Sequence, residues 1–171
     1  FVAVSTALSM ISVTRLSVDG SVDATFSAKI GRNERIRKIV QAPDGKIYIA
    51  GEFRTVLGVT RVSLARLNSD GSLDTTFAPY FNNAGFLRIE SLVLQNDGKI
   101  VVGFYGGLGM KRLNTDGSQD TTFTFPLSPT ASIIYDIAIT PTGGFMIVGF
   151  LGQNQYIVRL NANGSFDNTI T

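Results

Sequence analysis

The 171-residue sequence contains no cysteine, no histidine and no tryptophan. Without cysteine there is no disulfide framework, and no thiolate can hold a metal. Without histidine the chain lacks the commonest general base and the commonest transition-metal ligand. Charge is also sparse: Asp, Glu, Lys and Arg make up 16% of residues, where roughly a quarter is usual. The net charge of +2 is too small to imply a polyanionic partner. The longest apolar run, Gly144 to Gly152, is too short to span a bilayer. Residues 1–10 carry no basic residue, so they do not read as a secretory signal. The chain opens on Phe1 rather than Met, which leads us to expect a fragment, a processed form or part of something longer.

Apolar residues make up 44% of the sequence, enough for a real core. A chain of this length buries roughly two-thirds of its unfolded surface. Ile, Val, Leu and Phe are plentiful, which argues against disorder. Eighteen glycines among many Ser, Thr and Asn residues suggest an all-β chain with frequent turns.

An internal repeat dominates the sequence. Arg15-Leu-Ser-Val-Asp-Gly-Ser-Val-Asp-Ala-Thr-Phe26 recurs from Arg66 to Phe77, from Arg112 to Phe123 and from Arg159 to Ile170. The four arginines are spaced 51, 46 and 47 residues apart. A second element interleaves with the first. Asp44-Gly-Lys-Ile-Tyr-Ile-Ala-Gly51 matches Asp97-Gly-Lys-Ile-Val-Val-Gly103 and Thr142-Gly-Gly-Phe-Met-Ile-Val-Gly149. The opening Phe1-Val-Ala-Val-Ser5 aligns with Phe145–Gly149, so the chain starts partway through a repeat. A fixed period of 20–50 residues signals a solenoid, a propeller or an array.

Each full repeat reads as short strands separated by Asp-Gly and Asn-Gly turns. Strand a is expected over 36–41, 89–95 and 134–140. Strand b is expected over 46–50, 99–102 and 145–148, and strand c over 63–67, 110–113 and 156–160. A short strand d surrounds Phe26, Phe77 and Phe123. Ile100-Val-Val102 and Met146-Ile-Val148 are continuously apolar, as a strand covered on both faces would be. Neighbouring blades of a propeller supply that cover. The expected fold is therefore all-β: a β-propeller of four-stranded antiparallel blades, about three and three-quarter blades in number. Residues 1–171 form one segment, with repeats over 1–27 (partial), 28–78, 79–124 and 125–171. Phe26, Phe77 and Phe123 are expected as buried anchors between blades, with Ile170 the weaker terminal counterpart.

These two elements resemble the bacterial delta-60 repeat family, whose units carry Arg-Leu-Asn-x-Asp-Gly-Ser-x-Asp and Asp-Gly-Lys-Ile-x-x-x-Gly. The resemblance covers nearly the whole chain. It implies a propeller-like fold, occurrence in large bacterial surface or secreted proteins and in phage-related proteins, and no known catalytic residues. The chain departs from the pattern at Thr142-Gly143-Gly144, at Ile170 and at Ser5.

Several residues are candidates for chemistry. Asn68, Asp70 and Asp74, repeated as Asn114, Asp116 and Asp120, place oxygens at alternate positions like the start of a calcium loop. Gly71 sits fourth rather than sixth, and Pro79 stands where the bidentate Glu of an EF-hand would be. The alternative is a turn in which Asp and Ser side chains cap backbone N–H groups. Arg15, Arg66, Arg112 and Arg159 recur with Asp23, Asp74, Asp120 and Asp167, either as a ligand-binding ring of charge or as a structural pair in each blade, and a group repeated in every blade usually serves the repeat. Arg32, Arg35, Arg37 and Lys38 form the one basic cluster, with no aromatic neighbour for base stacking. Gly103–Gly109 is glycine-rich but lacks the Gly-Lys-Ser/Thr ending of a phosphate loop. Tyr80, Phe81 and Tyr105 lie in loops and are candidate recognition groups for sugar or protein.

The reading that follows is a non-enzymatic structural or interaction module of an extracellular, cell-surface or virion assembly, tail- or fibre-like in the last case. Its contacts would be to protein or glycan, with no cofactor, no nucleic acid and no membrane insertion. The alternative is a propeller hydrolase with carboxylates or calcium in its central channel. That class needs acids that do not repeat in every blade, and Glu34, Glu52, Glu90 and Asp136 are those. Two of them within reach of each other in one pocket would favour it. Closed propellers need four to eight blades. We therefore expect protein partners, further copies of the chain or chain beyond these residues to complete the ring. A compact four-bladed ring with a degenerate first blade is the rival.

Overall fold

The computed structural model describes residues 2–5, 10–32, 34–81, 87–106, 108–127 and 132–169. Among these, every regular element is a strand. β1 (Val2–Ser5), β2 (Met10–Leu16) and β3 (Val22–Arg32) form the first antiparallel sheet. β4 (Arg35–Gln41), β5 (Ile47–Glu52) and β8 (Leu64–Leu67) form the second. Between β5 and β8 a small hairpin, β6 (Thr55–Val56) and β7 (Val59–Thr60), leaves that sheet and pairs through Val56 with Ile30 of β3. β9 (Ile89–Leu94), β10 (Ile100–Phe104) and β11 (Met110–Leu113) make the third sheet. β12 (Ser132–Ile139), β13 (Phe145–Leu151) and β14 (Asn154–Leu160) make the fourth. These strands match the expected a, b and c segments of each repeat.

The turns explain the hairpins. Between β4 and β5, Ala42 accepts from Gly45 N at 2.9 Å, and Gly45 takes φ +83°. Glycine occupies that conformation without the steric penalty an L side chain carries. Gly98 and Gly143 repeat it at +82° and +81°.

The apolar runs are covered on both sides. Alternate residues of β5 serve different neighbours: Ile47 and Ile49 pack with Phe26, Ala28 and Ile30 of the first sheet. Tyr48 and Ala50 pack with Phe77, Ile89 and Ile100 toward the third. Each side chain of this kind contributes about 1.5–3 kcal/mol by leaving water. Phe26, Phe77 and Phe123 are all buried, each among residues of its own repeat and the next. Ile170 lies outside the described residues.

Two details differ from the sequence reading. The fourth strand is full length only in the first sheet, as β3. In the other three it shrinks to single bridges, Leu67 to Leu73, Leu113 to Gln119 and Leu160 to Phe166. The second detail concerns Gly103, which the motif aligns with Gly51 and Gly149. Pairing sets Gly103 opposite Ser91, whereas Gly51 lies opposite Ile36 and Gly149 opposite Ile134. Gly103 is therefore the counterpart of Ala50 and Val148, one residue earlier. The reasons for glycine differ accordingly: a Cβ at Gly51 or Gly149 would collide with the carbonyl of Arg35 or Ile133. A Cβ at Gly103 would collide with Ile134 of the next blade.

Candidate functional site

Two kinds of polar cluster stand on this scaffold, one repeated and one not. The repeated cluster is a clasp between blades. Arg66 Nε donates to Asp74 Oδ2 at 2.8 Å, while its Nη1 donates to the carbonyl of Thr115 in the next blade at 2.7 Å. Arg112 does the same with Asp120 at 2.8 Å and the Ala162 carbonyl at 2.6 Å. Arg15 pairs with Asp23 at 2.7 Å and reaches the Ser69 carbonyl at 2.7 Å. Each guanidinium also lies over the anchor ring of its own repeat, 5.1 Å from the centroid of Phe26, 4.8 Å from Phe77 and 4.9 Å from Phe123. Lys46 and Lys99 add a second cation to Asp74 and Asp120, at 2.6 and 2.7 Å. Burial alone would raise the Asp74 carboxyl. The bonds from Lys46, Thr76 and Arg66 outweigh it and hold the group well below the usual carboxylate range. Asp120 is held down likewise, first by Lys99 and then by Thr122.

The calcium candidates are engaged in this framework. Asp70 Oδ1 accepts from Ser72 N at 2.9 Å and from Ser72 Oγ at 2.6 Å, an Asx turn that Asp116 repeats with Ser118. Asn68 Oδ1 accepts from Lys46, and its amide donates to Ser72, as the Asn114 amide does to Ser118. Asp74 and Asp120 each face two cations, an environment that repels a third. Among the described residues no group of three or more acidic side chains is placed to hold a metal.

The second cluster lies where the a strands β4, β9 and β12 converge. Each of these carries a bulge against its b strand, at Arg37, Glu90 and Tyr135. The pairing makes those three residues structural counterparts. The residues that follow, Lys38, Ser91 and Asp136, are counterparts too. Chemistry changes from blade to blade at both positions. Arg37 bonds Glu52 at 2.5 Å and approaches Glu90 at 3.9 Å. Arg88 meets Glu52 at 3.2 Å and also pairs with Glu90. The bond from Arg37 to Glu52 holds the guanidinium charged even more firmly than usual. One layer on, Asp136 accepts from Lys38 at 3.0 Å and from Ser91 Oγ at 2.8 Å, so three blades meet on one carboxylate. Those two bonds outweigh burial and lower its pKa.

Three of the four non-repeating acids, Glu52, Glu90 and Asp136, thus gather at the converging strands. Glu34 sits apart, accepting from Arg54 N at 2.8 Å. Of the basic cluster, Arg37 and Lys38 belong to this centre. Sequence reasoning missed Arg88, whose guanidinium also stacks on Tyr105 at 4.1 Å. Aligning the three a strands by their bulges would have found it. Tyr105 is exposed, as is Tyr135, the latter edge-on to Phe150 at 5.7 Å. Phe81 is half-buried, edge-on to Phe104 at 5.2 Å, as a packing group would be. Tyr80 is exposed. The loop between Phe81 and Leu87 lies outside the described residues.

Three stretches, residues 42–77, 95–123 and 151–169, match the family model described as "Domain of unknown function (DUF5122) beta-propeller". No curated protein matches the chain. Among solved structures it is similar to one of a streptogramin B lyase, with TM-score 0.62, 14% identity, 94% of this chain and 47% of that one covered. It is also similar to a protein of unknown function from Bacteroides caccae, with TM-score 0.60, 13% identity and coverages of 97% and 55%. A putative gluconolactonase follows at TM-score 0.51 and 13% identity, with 96% of this chain and 74% of that one covered. The chain thus spans about half the length of the first two. Identities this low speak to fold alone. The matched stretches, the small antiparallel sheets and these neighbours identify the chain as a run of β-propeller repeats.

Proposed function

We propose that this chain is a non-enzymatic interaction module of an extracellular, cell-surface or virion assembly, in which repeated residues hold the blades together and the convergence of the a strands binds protein or glycan. One observation carries the reading. Residue identity varies at the bulge positions Arg37, Glu90 and Tyr135 and at Lys38, Ser91 and Asp136, while the clasp stays constant. Positions that serve the repeat hold their chemistry in every blade; positions that serve a ligand are free to differ. Exposed Tyr105, stacked on Arg88, and exposed Tyr135, edge-on to Phe150, offer aromatic faces that suit a sugar ring or a polar peptide. The resemblance of the repeat motif to bacterial surface and phage-related repeats supports the location.

The alternative, a propeller hydrolase, draws on the meeting of Glu52 and Glu90 around Arg88. Both carboxylates there are occupied by arginine, an arrangement that favours anchoring over proton transfer. The test is a screen of oligosaccharides and candidate surface proteins by calorimetry, with Tyr105→Ala and Tyr135→Ala as variants. The expected result is binding weakened at least tenfold in both variants with the melting profile unchanged. Turnover of a glycan or lactone that is abolished by Glu52→Gln or Glu90→Gln would establish the enzyme reading instead.

A further inference from the structure

The Asp of the Asp-Gly turn is kept in three of the four copies of the first motif, as Asp19, Asp70 and Asp116, and is replaced in the fourth by Asn163. Asn163-Gly164 is the one Asn-Gly pair in the sequence. The exchange leaves the turn itself unchanged. Asn163 Oδ1 accepts from Ser165 N at 3.0 Å and from Ser165 Oγ at 2.8 Å, the bonds that Asp70 makes with Ser72. Gly164 takes φ +93°, as Gly71 takes +90°. Asn163 and Ser165 are exposed, and so are their counterparts Asp70, Ser72, Asp116 and Ser118 in the second and third repeats. Access of water to this turn is thus a property of the repeat.

What changes is the chemistry at Cγ. A carboxylate carbon resists a nucleophile because the group already carries negative charge, whereas a side-chain amide is neutral. The nucleophile is the backbone nitrogen of Gly164, and glycine has no Cβ to crowd its approach. The two Ser165 donors are aimed at the oxygen on which charge develops as that nitrogen adds to Cγ, the arrangement that stabilises an oxyanion. The Asn161 amide donates to Ser165 Oγ at 3.0 Å, which leaves the hydroxyl proton to point at Asn163 Oδ1. One bond opposes the attack: Gly164 N donates to the Asn161 carbonyl at 2.9 Å. It must open first, as bonds in exposed turns do at little cost. The other asparagines of the motif, Asn68, Asn114 and Asn161, precede Ser69, Thr115 and Ala162, whose side chains hinder the same attack.

We propose that Asn163 is a site of spontaneous deamidation, and that the Ser165 donors of its own turn speed the reaction. Gly164 N gives its proton to solvent base and bonds to Asn163 Cγ; the Cγ–Nδ2 bond breaks and ammonia leaves. Water then opens the cyclic imide. Opening at Cγ gives aspartate, and opening at the main-chain carbonyl carbon gives isoaspartate, in which the backbone runs on through the side chain. The two products act differently on the fold. Aspartate restores the residue of the other three turns and keeps both Ser165 bonds. Isoaspartate lengthens the backbone by one carbon between residues that the preceding repeat grips. Arg112 Nη1 donates to the Ala162 carbonyl at 2.6 Å and Thr124 N to the Asn163 carbonyl at 3.2 Å. Gly164 is buried so close to Phe123 and Thr124 that even a Cβ would collide with them. Isoaspartate therefore loosens the junction of the third and fourth blades, whatever the convergence of the a strands binds.

The experiment is incubation of the 171-residue chain under native conditions at neutral and at mildly alkaline pH. Peptide mass mapping follows Asn163, and labelling by an isoaspartyl methyltransferase tells the two products apart. Conversion at Asn163 is expected to progress with time, faster at the higher pH, while Asn68, Asn114 and Asn161 in the same digests stay intact. Ser165→Ala is expected to slow conversion severalfold, less than the roughly 100-fold lost with an enzyme's oxyanion donor, because water stands in at an exposed turn. Ser165→Thr keeps the hydroxyl and is expected to keep the wild-type rate. The isoaspartate form is expected to melt below the unaged protein, whereas Asn163→Asp melts with it. An Asn163 that stays intact, conversion shared equally with the other three asparagines, a Ser165→Ala variant that converts as fast as the wild type, or an isoaspartate form that melts like the unaged protein would each overturn the proposal.

Discussion

Replacing Asp74 by Asn tests the clasp at its most buried point. Asp74 Oδ1 accepts from Thr76 N at 3.0 Å and Thr76 Oγ1 at 2.6 Å, and Oδ2 accepts from Lys46 at 2.6 Å and Arg66 at 2.8 Å. An asparagine can keep the Thr76 bonds only by turning its amide nitrogen toward two cations. Turned the other way, it loses the Asx turn. Lys46 is a third exposed and can rehydrate, but the Arg66 side chain is only 10% exposed and stays charged. Removing one partner of a buried pair costs about 3–5 kcal/mol, chiefly by stranding the other charge. Arg66 retains Thr115 O at 2.7 Å and Tyr48 Oη at 3.2 Å, so we place the loss at the lower end, about 3 kcal/mol. Urea unfolding with linear extrapolation reads this directly.

The control is Asp70→Asn, which leaves an Asx-forming side chain in an exposed turn and should barely move the midpoint. The double variant Arg66→Met with Asp74→Leu separates the causes. A stranded charge predicts that the double variant recovers much of the stability lost by Asp74→Asn alone. If Asp74→Asn costs less than about 1 kcal/mol, the range of an exposed pair, the clasp is a surface ornament and the reasoning fails.

Phe77→Ala removes a wholly buried ring that meets Tyr48 edge-on at 5.4 Å, and should cost about 3–5 kcal/mol in the same assay. Gly117→Ala, at φ +94° against Pro79, should destabilise clearly more than Gly20→Ala at φ +84° in open space. Melting temperatures of the pair would show the difference. Acid should unfold the protein through its clasps. The folded Asp23 carboxyl is lowered to about 2, first by Thr25 and then by Arg15, and Asp74 and Asp120 are held well below the usual range. Unfolded carboxyls bind protons near pH 4, so stability present above that pH should drain away as pH falls toward 2. A fluorescence-monitored acid titration that is flat over this window would contradict the assignment. Chelation by EDTA should leave the thermal midpoint unchanged, because the turn oxygens are already occupied by Ser72, Thr76 and their counterparts.

The fold was largely written in the two motifs. Asp-Gly turns fixed the hairpins, and uninterrupted apolar runs in the b strands announced cover on both faces. The shortening of the fourth strand is also written in the sequence, in two prolines outside the motifs. Pro79 and Pro126 follow closely on Phe77 and Phe123, and proline cannot donate to a ladder. After Phe77 and Phe123 the chain bonds forward instead, Ala78 N to Asp116 O and Thr124 N to Asn163 O. In the first repeat Phe26-Ser-Ala-Lys-Ile30 has no proline and alternates buried with exposed, so the strand runs on.

The centre was legible only in part, for a related reason. Searching for acids that do not repeat found Glu52, Glu90 and Asp136. It could not find Arg88, because an arginine at 35 and another at 88 look like one more repeated feature. What separates them is the bulge beside each: Arg37 follows the first, Glu90 the second, and Tyr135 stands in the third blade. A bulge leaves its residue outside the ladder, and these three side chains lie at the blade margin, Arg37 and Glu90 in the ion-pair network and Tyr135 exposed, rather than in the apolar core. Sequence variation at such a position then costs the fold little. A repeat built on a rigid clasp and a permissive bulge can change what it recognises without changing how it stands.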